Sequence, residues 1–303
     1  MSILVVGSVA FDSIQTPFGK ADDILGGSAC YFSTSASFFT DVNLVAVIGD
    51  DFPQEHIDFL ESRNVNLAGL QKTEGKTFRW KGRYEYDLNE AHTLETHLNV
   101  FESFKPVLPE SYRDAEYVFL ANIDPELQLE VLKQVENPKL VACDTMNFWI
   151  DGKKQELIKT LAKVDILVIN EAEVRQLADE PNLIKAAAIV RGFGPKTLVV
   201  KRGEYGVLMF GEGSVFSAPA YPLEEVFDPT GAGDTFAGGF IGYLAATRNL
   251  DEQNLRKATV FGSVMASFTV EKFSLDRLKE IDYTEISDRY RKIKLLTDFA
   301  DID

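Results

Sequence analysis

With 47 acidic against 31 basic side chains in 303 residues, the chain carries a formal charge of −16 and repels nucleic acid and anionic membrane surfaces, so neither is expected as a partner. Hydrophobic residues at 45% allow a large core, and charged residues at 26% are ordinary for a soluble globular protein. Its two cysteines, Cys30 and Cys143, lie outside any metal-spaced cluster and suit a reducing compartment, where no disulfide between them is expected.

The first residues, MSILVVGSVAF, have no basic segment ahead of the apolar ones and run straight into a strand-like pattern, unlike a signal peptide. No apolar run approaches the roughly 20 residues that span a bilayer, and the expected location is the cytoplasm. Short β-branched runs then recur at 3–7, 42–49, 117–123, 139–144, 165–170 and 197–201. Runs this apolar fit strands buried on both faces of a parallel sheet. Between them lie helix-like segments. In 124–136, Asp124 can cap a helix, Pro125 fits its first turn, and Leu127, Val131 and Val135 share a face. The alternation predicts an α/β fold, a mostly parallel sheet with helices on both sides, as one domain over 1–303.

One region breaks this rhythm. From Gln71 to Phe104 the chain is polar and aromatic, and Phe78, Trp80, Tyr84 and Tyr86 alternate with charged residues. A period of two predicts a strand with one aromatic and one charged face. With residues 13–25, which are not helical either, it predicts a small accessory sheet. The aromatic stripe reads first as packing, against the main domain or a dimer partner, and second as substrate contact.

Ligands of open parallel sheets bind beyond the carboxyl ends of the strands. Asp12, Asp124, Asp144 and Asn170 fall at or just past such ends. Each has a structural alternative: Asp124 as a helix cap, and Asn170 with Glu173 as a capping box. Further on, TGAG (230–233) precedes a helix-like run in which Phe236, Phe240 and Leu244 share a face. Gly231 and Gly233 allow positive φ and close approach of a ligand. Successive N–H groups there, with the helix dipole behind them, form an anion nest that needs no lysine. Gly238, Gly239 and Gly242 read as helix-packing positions.

The stretch DPTGAGDTFAGGF (228–240) closely resembles the C-terminal signature of the PfkB, or ribokinase-like, carbohydrate and nucleoside kinases. LGGSACYF (25–32) resembles the family's Gly-Gly signature, NEAE (170–173) its N-x-x-E motif, and VVKRGEYGVL (199–208) its K-x-G-x-x-G strand pair. The resemblance implies a three-layer α/β/α fold with a small β lid, here about 13–25 and 71–104. It implies transfer of the γ-phosphoryl group of ATP to the hydroxyl of a small sugar or sugar-like acceptor. In that reading Asp234 is the general base, and the N–H groups of Gly231, Ala232 and Gly233 hold the transferring phosphoryl. Asn170 and Glu173 hold Mg²⁺, mostly through water. Asp12, Gly26 and Gly27 grip the acceptor, while Lys201, Gly203 and Thr230 lie on the nucleotide side, Lys201 with no catalytic role. Asp228 falls where some relatives bind a monovalent cation, which brings in K⁺. The lid offers a surface for a homodimer. Adenine would sit near 201–227 and 261–273.

One position departs from the pattern. Many sugar kinases of the family have Asn four residues after the second glycine of the Gly-Gly signature, where this chain has Tyr31. An aromatic group there changes the acceptor pocket and weakens an assignment to ribose or fructose. A nucleoside, contacted by Phe78, Arg79, Trp80 and Arg83, is the alternative acceptor. A non-catalytic binding protein and a vitamin kinase of the same superfamily are the remaining alternatives. The first is disfavoured because base, nest and N-x-x-E are all present, and the second because those kinases generally lack a lid.

Overall fold

The computed structural model describes residues 2–300. Among these residues thirteen strands form two sheets. In chain order they are β1 (Ser2–Val6), β2 (Ala10–Thr16), β3 (Gly19–Gly26), β4 (Asp41–Ile48), β5 (Val65–Lys72), β6 (Phe78–Tyr84), β7 (Ala91–His97), β8 (Tyr117–Leu120), β9 (Leu140–Asp144), β10 (Ile166–Asn170), β11 (Thr197–Lys201), β12 (Val207–Phe210) and β13 (Val215–Ala218).

The large sheet has nine strands in the order β13-β12-β11-β10-β9-β8-β1-β4-β5. Its pairings are parallel from β5 to β11 and antiparallel at β11–β12 and β12–β13. Strands β8 and β9 are buried along their whole length, as their apolar composition requires when both faces are covered. Successive side chains serve opposite faces. Ile3 and Val5 join one core cluster with Leu44, Tyr117 and Phe119, whereas Leu4 and Val6 join the other with Val45, Val118 and Leu120. The first cluster is covered by the helices Ser28–Ala36, Ala232–Thr247, Glu252–Thr269 and Tyr283–Leu296. The second is covered by Pro125–Leu132, Lys154–Leu161, Glu171–Ala178 and Leu183–Arg191. This gives the three layers expected of the α/β chain. Gly238 permits one tight crossing, since a Cβ there would meet the Phe32 carbonyl at 2.4 Å.

The second sheet has four strands in the order β3-β2-β6-β7. It takes in most of the two segments expected to form an accessory sheet, with shifted boundaries. β2 starts at Ala10, so Asp12 lies inside the small sheet, whereas the sequence reading set it just past a main-sheet strand. Gln71 and Lys72, expected in the accessory segment, end the main-sheet edge strand β5. The aromatic stripe also divides. Phe78 stacks on Phe101, Trp80 lies across Gly82, Tyr84 is buried, and Tyr86, beyond the strand end, is 94% exposed.

The predicted helix over 124–136 is shorter than expected. It runs from Pro125 to Leu132 and buries Pro125, Gln128 and Val131, so Val135 lies past its end. Gln128 turns inward because its amide donates to the carbonyls of Ala121 and Asp144, satisfying backbone groups that burial would otherwise strand. Cys30 and Cys143 are free and buried.

The chain reverses direction across the large sheet between β1 and β8. It moves one way through β4 and β5 and the other way through β8 to β11. Such a switch point opens a crevice at the carboxyl ends of the strands.

Candidate functional site

Three polar residues end adjacent strands on the crevice side: Asp144 on β9, Asn170 on β10 and Lys201 on β11, with Asn170 and Lys201 in direct register. Asp144 Oδ2 accepts from Lys201 Nζ at 3.1 Å, with side chains only 5% and 18% exposed. Burial lowers the Lys201 pKa, but Asp144, Glu173 and Asp234 outweigh it and hold the ammonium above its ordinary value. The lysine therefore stays charged.

Asn170 and Glu173 form a reciprocal capping box. Asn170 Oδ1 accepts from Glu173 N at 2.8 Å, and Glu173 Oε2 accepts from Asn170 N at 3.0 Å. Burial pushes the Glu173 carboxyl up to about 7, Lys201 opposing and Asp144 adding. Asp124, the other polar strand end, is accounted for by structure. It caps its helix by accepting from Glu126 N and pairs with Lys153 at 2.7 Å.

The loop at 228–233 is braced from within. Asp228 Oδ1 accepts from Thr230 N at 2.9 Å and Oδ2 from Ser274 N at 3.3 Å. One oxygen thus serves the loop and the other ties it to Ser274, and a monovalent cation would have to share them. Gly231 adopts φ 72° as the N-cap of the helix Ala232–Thr247. That left-handed turn aims the helix start into the crevice, and only glycine takes it without strain.

Two expectations for the nest are corrected. Gly233 is helical and not at positive φ; it is needed because a Cβ there would lie 2.7 Å from Lys201 Nζ. Ala232 N is not a free donor, since it donates to the Pro229 carbonyl at 3.2 Å. The N–H groups of Gly231 and Gly233 have no acceptor among the described residues. The helix start therefore presents these two donors, with the helix dipole behind them and the Lys201 ammonium beside them. The sequence reading placed no lysine at the nest, whereas the structure brings Lys201 beside Gly233.

Asp234 stands in the first turn of the same helix, half-buried. Desolvation pushes its carboxyl up to about 7, with Asp144 adding and Lys201 opposing. Asp12, 4% exposed, faces it from the small sheet. Burial raises Asp12 to about 7, the Gly27 N–H opposing and Asp228 and Asp234 adding. Gly26 is required by contact, for a Cβ there would lie 1.9 Å from Asp12 Oδ2.

Tyr31, 1% exposed, lays its ring against Gly231, where an added Cβ would meet three ring carbons at 2.4 Å. Two residues absent from the sequence reading of the site complete it. Tyr84, at the end of β6, brings its hydroxyl within 3.2 Å of Thr230 Oγ1, which donates to it. Asn89, on the turn between β6 and β7, seats its Oδ1 where Gly203 leaves space, 1.9 Å from a Cβ built there. The period-two stripe pointed to one face of β6, but nothing in it distinguished Tyr84 from its aromatic neighbours.

An α/β/α fold with a second small sheet, carrying a carboxylate beside free N–H donors at a helix start, defines the class of kinases with a ribokinase-like fold. Comparison with known proteins gives the family. The pfkB family carbohydrate kinase profile matches residues 11–280, and the chain belongs to this family, whose members transfer phosphoryl groups to hydroxyls. A cytidine kinase of Thermococcus kodakarensis is 33% identical over 258 residues, covering 83% of this chain and 91% of that protein. A nucleoside kinase of Methanocaldococcus jannaschii is 24% identical over 261 residues, covering 86% and 82%. Among solved structures, the Burkholderia thailandensis nucleoside kinase in complex with inosine superposes with a TM-score of 0.79 at 16% identity, covering 96% of this chain and 97% of that one. The E. coli structure assigned to ribokinase II, in complex with ATP and Mg²⁺, gives a TM-score of 0.78 at 18% identity, covering 96% and 99%. These two likenesses speak for the fold. Among the described residues no helix is long and apolar enough to cross a membrane.

Proposed function

We propose that this chain transfers the γ-phosphoryl group of ATP to a hydroxyl of a nucleoside, with Asp234 as general base. One observation carries the reading: Asp234 stands beside the free donors of Gly231 and Gly233, facing the buried Asp12 of the small sheet. The acceptor hydroxyl gives its proton to Asp234 as its oxygen bonds to the γ-phosphorus, and the bond to the β-phosphate oxygen breaks to leave ADP. Phosphoryl transfer needs positioning and charge stabilisation above all. The two N–H groups and Lys201 supply positive charge where the transferring oxygens would lie. A carboxyl near 7 is matched to accepting a proton at neutral pH.

Among the described residues no three His, Cys, Asp or Glu side chains cluster as a metal site. A buried carboxylate at the crevice, that of Glu173, fits Mg²⁺, which keeps several waters and binds through one or two carboxylates plus the phosphates of its nucleotide. Glu173, braced by Asn170, is the carboxylate that would hold it, largely through water. The metal would neutralise charge on the phosphates. On the nucleotide side Thr230 and Gly203 frame the crevice. The small sheet acts as the lid over the acceptor.

The nucleoside rests on the 33% identical cytidine kinase and on Trp80. In register with Asp12 on the adjoining strand, it offers a flat indole face beside a hydroxyl-binding carboxylate. A small sugar is the second reading, favoured by the buried rings of Tyr31 and Tyr84, which narrow the space near Asp234. ADP release measured with Mg²⁺, with and without K⁺, against a panel of nucleosides and sugars decides between them. Phosphorylation confined to small sugars overturns the nucleoside reading.

A further inference from the structure

The turn that follows the helix Glu252–Thr269 holds a serine in an unusual state. Ser274 is 4% exposed and adopts φ 56°. A residue with a Cβ is disfavoured in that left-handed region, where glycine is free. The turn therefore needs this backbone shape but not a serine to make it. Strain kept where glycine would remove it points to a use for the side chain.

Both donors of Ser274 are engaged by distant segments. Its hydroxyl donates to the Leu25 carbonyl at 2.6 Å, across 249 positions, and its N–H donates to Asp228 Oδ2 at 3.3 Å. Leu25 lies on β3, an edge strand of the small sheet, immediately before Gly26 and Gly27. Asp228 is 1% exposed, and its other oxygen accepts from Thr230 N at 2.9 Å. A continuous path thus runs from the small sheet through Ser274 and Asp228 into the loop that turns at Gly231. Thr230 Oγ1 adds a second tie, to the Tyr84 hydroxyl on β6. The same side is packed as well. Phe18, on the turn between β2 and β3, lies edge-on to Phe227 with ring centroids 6.3 Å apart, and a Cβ at Gly19 would lie 3.2 Å from the Phe273 ring. Hydrogen bonds fix direction as well as distance, so the path through Ser274 sets how the loop is oriented on the small sheet.

We propose that Ser274 is a positioning residue for phosphoryl transfer: through Asp228 it holds the N–H donors of Gly231 and Gly233 in a fixed orientation to the strand that leads into Gly26 and Gly27. The inference rests on the kinase reading above and adds to it a residue outside every stretch that resembles the family signatures. Ser274 touches no reacting atom. It acts on alignment, to which phosphoryl transfer is sensitive.

The test starts with Ser274→Gly, which removes the hydroxyl and relaxes φ. The lost hydrogen bond and the relieved strain offset each other, so Tm is expected within about 3 °C of the wild type. Turnover per folded molecule should nevertheless fall about tenfold, the worth of one hydrogen bond. KM for ATP and for the acceptor should stay within about threefold, the split expected of an interaction that counts in the transition state and not in binding. The second variant is Asp228→Asn, whose amide can accept from only one of the two N–H groups. In that background Ser274→Gly should cost less than about threefold in kcat, because both substitutions break one path.

An unchanged kcat per folded molecule overturns the inference. So does a raised acceptor KM at unchanged kcat, which would assign the residue to acceptor binding. Losses that simply multiply in the double variant show that the hydroxyl does not act through Asp228. A loss that added K⁺ reverses assigns Asp228 and Ser274 to a cation site instead, and a Ser274→Gly chain that does not fold assigns the residue to folding; either result also overturns the inference. A wild-type protein that phosphorylates nothing in the panel defeats the kinase reading, so the two failures are distinguishable.

Discussion

Replacing Asp234 by Asn keeps the side chain's shape and removes its ability to take a proton. A positioned general base contributes a factor of about 10² to 10⁴, so kcat is expected to fall at least about a hundredfold while ATP binding by calorimetry stays near wild type. The raised carboxyl adds a second signature. With a folded pKa of about 7 against an ordinary 3.8, the wild-type base is ionised to about one tenth at pH 6 and about one hundredth at pH 5. Wild-type kcat/KM should therefore fall at least about tenfold per unit below pH 7, and the variant's residual rate should fall less steeply, since Asp12 and Glu173 still titrate in that range.

Stability moves the opposite way. The folded state holds this proton more tightly than the unfolded state, so stability falls as pH rises from about 4 to about 7. A shift of about 3 units is equivalent to on the order of 4 kcal/mol, which solvent at the half-buried carboxyl screens to about 2 kcal/mol. Asn never ionises, so Asp234→Asn should gain about that much over the wild type between pH 4 and pH 8 in urea unfolding. Turnover within tenfold of wild type removes Asp234 from the base role. A wild-type rate that is flat from pH 5 to 8 refutes the raised carboxyl.

Two further substitutions probe the loop. Gly231→Ala combines a left-handed φ with a Cβ 2.4 Å from the Tyr31 ring, so it should lose about 2–5 kcal/mol in urea unfolding and most of its turnover; a stable, active variant would show that the ring contact is dispensable. Lys201→Met leaves the Asp144 carboxylate buried without its cation and should cost about 3–5 kcal/mol, with Asp144→Asn in the same chain restoring part of it. Additive losses in that double variant would show that the pair is not coupled.

Residues buried on both faces were legible because they must be apolar at every position. β8 to β11 therefore stand within three residues of the runs that announced them. β5 was not read as a strand. It closes one edge of the sheet, so residues such as Asn66 and Gln71 interrupt its apolar pattern. Local hydrogen-bonding motifs were also legible. The box between Asn170 and Glu173 and the cap at Asp124 depend only on spacing along the chain.

Contacts between distant segments left no such trace. Nothing around Gly233 announces that the Lys201 ammonium fills the space beside it, because 32 positions separate them and either residue has an ordinary local reason to be there. Tyr84 and Thr230 meet across 146 positions. Tyr31 stood out only as a departure from a family pattern. Its packing on Gly231 and its hydroxyl, unpartnered among the described residues, required coordinates.

The path of the chain from β1 into β2 has a mechanical consequence. Residues 7–9 leave the large sheet and enter the small one, and they are pinned there. Gly7 N donates to the Val45 carbonyl, and Ser8 and Ser28 exchange backbone and hydroxyl hydrogen bonds. The base of the small sheet is therefore fixed to the large one, so Asp12, three residues on and about 10 Å away at strand rise, is held close to a braced point, whereas Asn89 is carried on the turn beyond the far end of β6.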